Sequence, residues 1–332
     1  MIHLVFTGGT ISMQRDARAG GNVPAHGGEA LVALAPELPA VAPFVIEDWG
    51  RHPAAHMGLP KLWELRNRLA AIMAGPEAPA GIVVTHGTDT IEETAYLLAR
   101  TLDPRIPVVI TGAMRTASDE GFDGPRNLTD AAVGAASEAS SGRGTMVVFH
   151  GKVFGGLTVQ KVEATELDAF GAPFGGPVGR VANGTVTYAN RAPRIGESVG
   201  AGYIRPLQTT GKGLAALTAK VALIPMVIGD VGELLDLARP THDGVVIAAF
   251  GSGNLPPGAL PAIRRWVEEG KPVILGTRCP RGEVSPIYAF EGGGATVVKA
   301  GALPAGPRTL AQARLELTIA LSAGVPYGAP LA

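Results

Sequence analysis

Ile82-Val83-Val84-Thr85-His86-Gly87-Thr88-Asp89-Thr90, continuing into Ile91-Glu92-Glu93-Thr94-Ala95-Tyr96-Leu97-Leu98, decides the reading of this chain. The unbroken apolar run is what a strand buried on both faces looks like, and the amphipathic run after it predicts a helix. Thr90 and Glu93 have the spacing of a capping box at that helix's start. His86 to Asp89 therefore occupy a tight turn at the carboxyl end of a parallel strand, where open α/β sheets bind their ligands. A hydroxyl and a carboxylate stand side by side in that turn.

The same grammar repeats on either side. Ile2 to Phe6 predicts a first strand ending in Thr7-Gly8-Gly9-Thr10-Ile11, and Phe44-Val45-Ile46, Pro107 to Thr111 and Thr145 to Phe149 predict further strands. Helices fit Glu29 to Leu34, Lys61 to Met73 (Leu62, Leu65, Leu69 and Ile72 recur at helical spacing) and Asn127 to Ser140. Residues 12–28 lack periodicity and hold charge, Gly and Pro, which predicts a mobile loop of the kind that covers sites. Strands alternating with helices predict a doubly wound, mainly parallel sheet with right-handed crossovers.

From Gly155 to Asn190 the pattern is irregular, and residues 193–215 read as a linker. Beyond it, Lys220 to Ile224, Gly244 to Phe250, Lys271 to Gly276 and Ala295 to Lys299 predict strands, with helices at Val231 to Ala238, Gly258 to Glu269 and Thr309 to Ser322. The expectation is two α/β domains. A larger N-terminal one spans 1–192, and a smaller parallel-sheet one of flavodoxin-like kind spans 216–332.

Bulk composition fits this architecture. The 332 residues are 46% hydrophobic and 17% charged, which describes a globular protein with a large core. A net charge of -1 supplies no field to attract nucleic acid or anionic lipid, so neither is an expected partner. The single cysteine, Cys279, excludes an internal disulfide framework and fits the cytoplasm. No apolar segment approaches membrane-spanning length.

Two strand-end turns each present a threonine, Thr10 after Gly8-Gly9 and Thr88 after Gly87. Such turns aim backbone N–H groups at the mouth of a site, a ready-made oxyanion hole. A threonine hydroxyl attacks poorly until a base takes its proton, and a desolvated lysine is able to do so. Lys161, between Val159 and Val162, is the candidate. Taken singly, each turn is equally explained by Asx-turn and cap chemistry. His3, His26, His52, His56, His86, His150 and His242 show no metal-binding spacing, and neither a P-loop nor a dinucleotide fingerprint is present, so no cofactor is expected.

Together the motifs carry more than each alone. Thr7-Gly8-Gly9-Thr10-Ile11, His86-Gly87-Thr88-Asp89-Thr90, Thr111-Gly112-Ala113-Met114-Arg115, Asp123-Gly124-Pro125-Arg126-Asn127-Leu128, Asp168-Ala169-Phe170 and Gly251-Ser252-Gly253-Asn254-Leu255 resemble, in order, the bacterial-type asparaginase family. The resemblance runs from residue 5 to about 320. It implies hydrolysis of asparagine to aspartate and ammonia through a threonine acyl-enzyme, without metal or organic cofactor.

Thr10 matches the family's nucleophile. Thr88, Asp89 and Lys161 match its hydroxyl–carboxylate–amine set, with Asp89 holding the substrate's α-ammonium. Gly9, Ala54, Ala55, Gly87, Thr88, Asp89, Ala113 and Asn254 match its substrate-binding positions. Asn254 lies in a loop that reaches the neighbouring subunit, so the resemblance also implies a homodimer or homotetramer with sites at the intimate interface.

Three departures stand out. Asn22 replaces a loop tyrosine, Ala54-Ala55 replace a pair of polar side chains, and the family's C-terminal glutamate has no secure match between Arg281 and Glu291. Three rival readings remain at this point. One is a broader glutaminase-asparaginase, and another is an ammonia-supplying subunit of a transamidation complex. The third is a non-catalytic amino-acid-binding homologue.

Overall fold

The computed structural model describes residues 1–189 and 214–328, and the chain divides into two compact units, Met1–Gln208 and Thr209–Ala332. The linker expected at 193–215 lies, but for its last two residues, outside the described ones.

In the first unit the elements run β1 (Ile2–Gly8), β2 (Met13–Asp16), β3 (Gly21–Pro24), α1 (Gly28–Ala33), β4 (Phe44–His52), α2 (Leu59–Ala74), β5 (Gly81–Thr85), α3 (Ile91–Thr101), β6 (Val108–Thr111), α4 (Gly124–Ala136) and β7 (Thr145–Phe149). They continue with β8 (Lys152–Gly155), β9 (Gln160–Lys161), β10 (Phe170–Gly171), β11 (Gly179–Ala182) and β12 (Thr185–Tyr188).

One eight-stranded sheet has the order β12-β11-β8-β7-β6-β5-β1-β4. From β7 to β4 every neighbour is parallel, and β8, β11 and β12 are added antiparallel. The stretch from Gly155 to Asn190, irregular in sequence, thus holds short antiparallel pairs within its described part. β5, β6 and β7 are buried along their whole length, which is why their sequences are continuously apolar rather than alternating. One sheet face packs Ile2, Leu4, Phe6, Val83 and Val109 with Leu31 of α1 and Leu128, Ala131, Ala132 and Ala135 of α4.

Two expectations for this unit are overturned. Residues 12–28 are no loose loop, because β2 and β3 form an antiparallel hairpin pairing Met13 with Pro24 and Arg15 with Asn22. Backbone bonds from Ala25 and His26 to the Ser12 carbonyl, and from Ala117 to the Met13 carbonyl, tie the hairpin down. The capping box at Thr90 is also not formed. The Thr90 hydroxyl instead donates to the Ala54 carbonyl at 3.3 Å.

The second unit holds β13 (Val221–Pro225), α5 (Glu233–Ala238), β14 (Gly244–Ala249), α6 (Leu260–Glu268), β15 (Val273–Thr277), α7 (Gly294–Lys299), β16 (Leu303–Pro304) and α8 (Leu310–Ala323). A four-stranded parallel sheet, β13-β14-β15-β16, packs Val245, Ile247 and Leu275 against Ile263 and Trp266 of α6.

Here Ala295 to Lys299, expected as a strand, is helix α7. Its β-branched residues favour a strand locally, but a run this short is ambiguous by periodicity. The helical turn buries Val297 in the core of the unit, and that burial decides. The fourth strand is the two-residue β16 instead.

Candidate active site

β1, β5 and β6 end side by side in parallel register, with Phe6 opposite Thr85 and Thr85 opposite Thr111. Two bonds lock these ends together. The Thr7 hydroxyl donates to the Thr85 carbonyl at 2.7 Å, and the His86 N–H donates to the Thr111 carbonyl at 2.8 Å. The turns that follow are thereby placed at one edge of the sheet, as the strand order requires.

Close backbone contact brings the turns together. Gly9, at φ +86°, occupies a region that L side chains avoid, and a β-carbon there would lie 2.4 Å from the Gly87 Cα. A β-carbon on Gly87 would in turn lie 2.6 Å from that of Ala54. The turn of Thr10, the turn of Thr88 and the short 3₁₀ turn Ala54–His56 are therefore stacked backbone on backbone.

Lys161 enters from β9. Its ammonium nitrogen Nζ lies 2.9 Å from Thr88 Oγ1 and 3.0 Å from Asp89 Oδ1, while its backbone N–H donates to Glu92 Oε2 at 2.8 Å. The Lys161 side chain is 16% exposed and that of Asp89 69%, so the amine is enclosed while the carboxylate stays largely open to solvent. β9 is set by pairing with β10, Lys161 opposite Phe170.

Two further groups brace these turns. His86 is wholly buried, with Nδ1 2.9 Å from the Gly87 carbonyl and Nε2 3.1 Å from Thr94 Oγ1. Since a carbonyl only accepts, Nδ1 is assigned the proton and Nε2 accepts from Thr94. Burial holds the His86 pKa below its ordinary value, against the opposing Gly87 bond. After β6, the Asp123 carboxylate accepts from the N–H groups of Met114 and Arg115 and from Asn127 Nδ2. Asn127 Nδ2 also donates to the Gly112 carbonyl. Ala113, fully buried, is thus fixed by its neighbours.

The sequence-derived candidates divide as follows. Gly9, Thr10, Ala54, Gly87, Thr88, Asp89 and Lys161 belong to this stack of turns, and the exposed Ala55 sits on the Ala54 turn. Asn22 is exposed on β3, opposite Arg15. Asn254 lies in the second unit, where it bridges Phe250 and its Oδ1 accepts from the Gly294 N–H at the start of α7. Glu92 escaped notice as a site residue, because in sequence it is an ordinary acid in a first helical turn. Among the described residues, no group of three or more His, Cys, Asp or Glu is placed to hold a metal ion.

Residues 1–194 match the family described as asparaginase, N-terminal, and residues 220–327 match the glutaminase/asparaginase C-terminal domain. The chain belongs to the asparaginase family.

Among asparaginases, it is 37% identical over 328 residues to a probable L-asparaginase of Deinococcus radiodurans, covering 97% of this chain and 92% of that protein. It is 32% identical over 284 residues to L-asparaginase 2 of Escherichia coli, covering 85% and 78%. Its fold matches the crystal structure of a probable cytoplasmic L-asparaginase from Campylobacter jejuni with a TM-score of 0.80, at 25% identity, over 99% and 96% of the two chains. As an asparaginase, the protein is an amidohydrolase. Among the described residues, no helix is long and apolar enough to cross a membrane.

Proposed function

We propose that this asparaginase hydrolyses the side-chain amide of L-asparagine to L-aspartate and ammonia through a threonine acyl-enzyme. The observation that carries the reading is the Lys161 amine, within hydrogen-bonding distance of Thr88 and Asp89, on a turn packed against Gly9 and hence beside Thr10.

Asp89 takes the α-ammonium with its open face, as one fixed carboxylate suits a free amino acid. Thr10 Oγ loses its proton and attacks the carboxamide carbon, and the nitrogen gains a proton and departs as ammonia. Water then cleaves the ester and releases aspartate. The proton travels by relay: Lys161 in its unprotonated form takes the Thr88 proton, Thr88 takes that of the attacking oxygen, and the Lys161 ammonium gives a proton to the departing nitrogen. Backbone N–H groups of the stacked turns, and that of Ala113 on the turn after β6, supply the oxyanion donors.

One observation favours a second assignment of the nucleophile. The hydroxyl beside the amine is that of Thr88, not that of Thr10. Rapid quenching on asparagine and peptide mass mapping distinguishes them by which threonine carries the acyl group.

The experiment that tests the function is ammonia release from asparagine by the wild type, Thr10→Val and Lys161→Met, with circular dichroism to confirm folding. Each change abolishes turnover if the roles are right, and undiminished activity in either contradicts its assignment. Parallel assays with glutamine test the broader specificity. Calorimetry with aspartate tests the binding-only reading, which requires affinity without turnover. The family resemblance further supports a homodimer or homotetramer in which the Asn254 loop serves a neighbouring site, and the likeness to the probable cytoplasmic L-asparaginase of Campylobacter jejuni supports a cytoplasmic location. Light scattering and cell fractionation check these.

A further inference from the structure

We infer that Glu92 is a positioning residue that holds Lys161 in register with Thr88 and Asp89. The inference rests on Lys161 being the proton acceptor, as proposed above.

Lys161 lies on a strand only two residues long, whose partner β10 is equally short. A pair this brief does not by itself fix where a long, flexible side chain ends. The missing constraint comes from the turn leading into α3. Glu92 Oε2 accepts the Lys161 backbone N–H at 2.8 Å, while Thr88 and Asp89 accept from Nζ at 2.9 and 3.0 Å. Thr88 and Asp89 lie on the 3₁₀ turn Thr88–Thr90, and Glu92 is the second residue of α3. One continuous piece of backbone thus grips the lysine at both ends, main chain and amine. The contact spans 69 residues of sequence, so it is no product of local chain geometry.

The chemistry of the grip also argues for a role. A mostly buried carboxyl is costly to keep unless its polar atoms are used. Its pKa is raised to about 7, chiefly by burial, with Glu93 beside it adding to the rise and the Lys161 N–H opposing it. Near neutral pH the group is therefore partly protonated. It holds the backbone of Lys161 without placing a full second negative charge behind an amine already paired with Asp89. The charge that acts on it is Glu93 on its own helix, while Lys161 reaches it through the backbone N–H.

The test compares Glu92→Ala, Glu92→Gln and Lys161→Met by steady-state ammonia release from asparagine across pH, with thermal unfolding alongside. A small displacement of a catalytic group is enough to cost about 10–100-fold in rate. Glu92→Ala therefore lowers kcat by about 10–100-fold with KM within about twofold, since Glu92 touches no substrate. Glu92→Gln keeps an oxygen that accepts the same N–H, so it recovers most of that loss.

Wild-type kcat in Glu92→Ala with an inactive Lys161→Met overturns this inference alone. Undiminished turnover in Lys161→Met overturns the base assignment and this inference with it. Should Glu92→Ala fail to fold, Glu92→Leu takes its place beside Glu92→Gln, and equal kcat in the two overturns the inference.

Discussion

Gly9 and Gly87 meet backbone to backbone, so closely that a β-carbon on Gly9 would stand 2.4 Å from the Gly87 Cα. This contact, together with the Thr7 hydroxyl bond to the Thr85 carbonyl, holds the Thr10 and Thr88 turns together. Gly9→Ala must both enter a left-handed conformation and part the two turns. It costs at least about 2 kcal/mol of stability and separates the hydroxyls. Thermal unfolding and ammonia release measured together check this, and a variant with normal activity would mean the turns tolerate the separation.

The raised pKa of Glu92 gives a pH dependence of stability. A group whose folded pKa lies above its unfolded value stabilises below the unfolded value, and that contribution is lost as pH rises through the folded one. For Glu92 the window runs from 4.5 to about 7. Raising the pH from about 5 to 8 should therefore destabilise the wild type relative to Glu92→Gln by up to about 3 kcal/mol. Urea unfolding of both proteins at the two pH values measures the difference.

His86 acts in the opposite direction. Its folded pKa is depressed, so its contribution is complete above the unfolded value of 6.5 and is lost as pH falls below it. His86→Leu leaves the Gly87 carbonyl and the Thr94 hydroxyl without the ring, at a cost of about 2–4 kcal/mol. It also removes this acid-side loss. The stability gap between wild type and variant should thus be narrower at pH 5.5 than at pH 7.5, on a denaturant titration.

Asp123 accepts hydrogen bonds from three donor groups that fix the Gly112–Arg115 turn. Asp123→Ala frees that turn, costing about 2–3 kcal/mol. If Ala113 contributes to substrate binding, KM for asparagine rises more than kcat falls. Asp123→Asn keeps one accepting oxygen and recovers part of both losses. Steady-state kinetics and melting temperatures of the two variants give the comparison.

Much of this was legible in sequence because the site is built on buried parallel strands. Their continuous apolar runs announce themselves, and the glycine–threonine turns follow directly after them. What escaped depends on contacts distant in the chain. The hairpin of residues 12–28 shows no alternation, since its strands are largely solvated and are held by backbone bonds to Ser12 and Met13. Thr90 and Glu93 had the spacing of a cap, yet the hydroxyl found a better partner in Ala54. Ala295 to Lys299 has strand-like residues and was claimed for a helix by the burial of Val297. Glu92 reads as a helix-favouring acid until Lys161 arrives across 69 residues.

β4 ends the eight-stranded sheet, and among the described residues its strand partner is β1. An edge strand nine residues long is the kind of border to which another chain can add itself. Glu47, Asp48 and Arg51 stud this border with charge, which discourages such templating. Charge placed along an edge strand works against the addition of a second chain there.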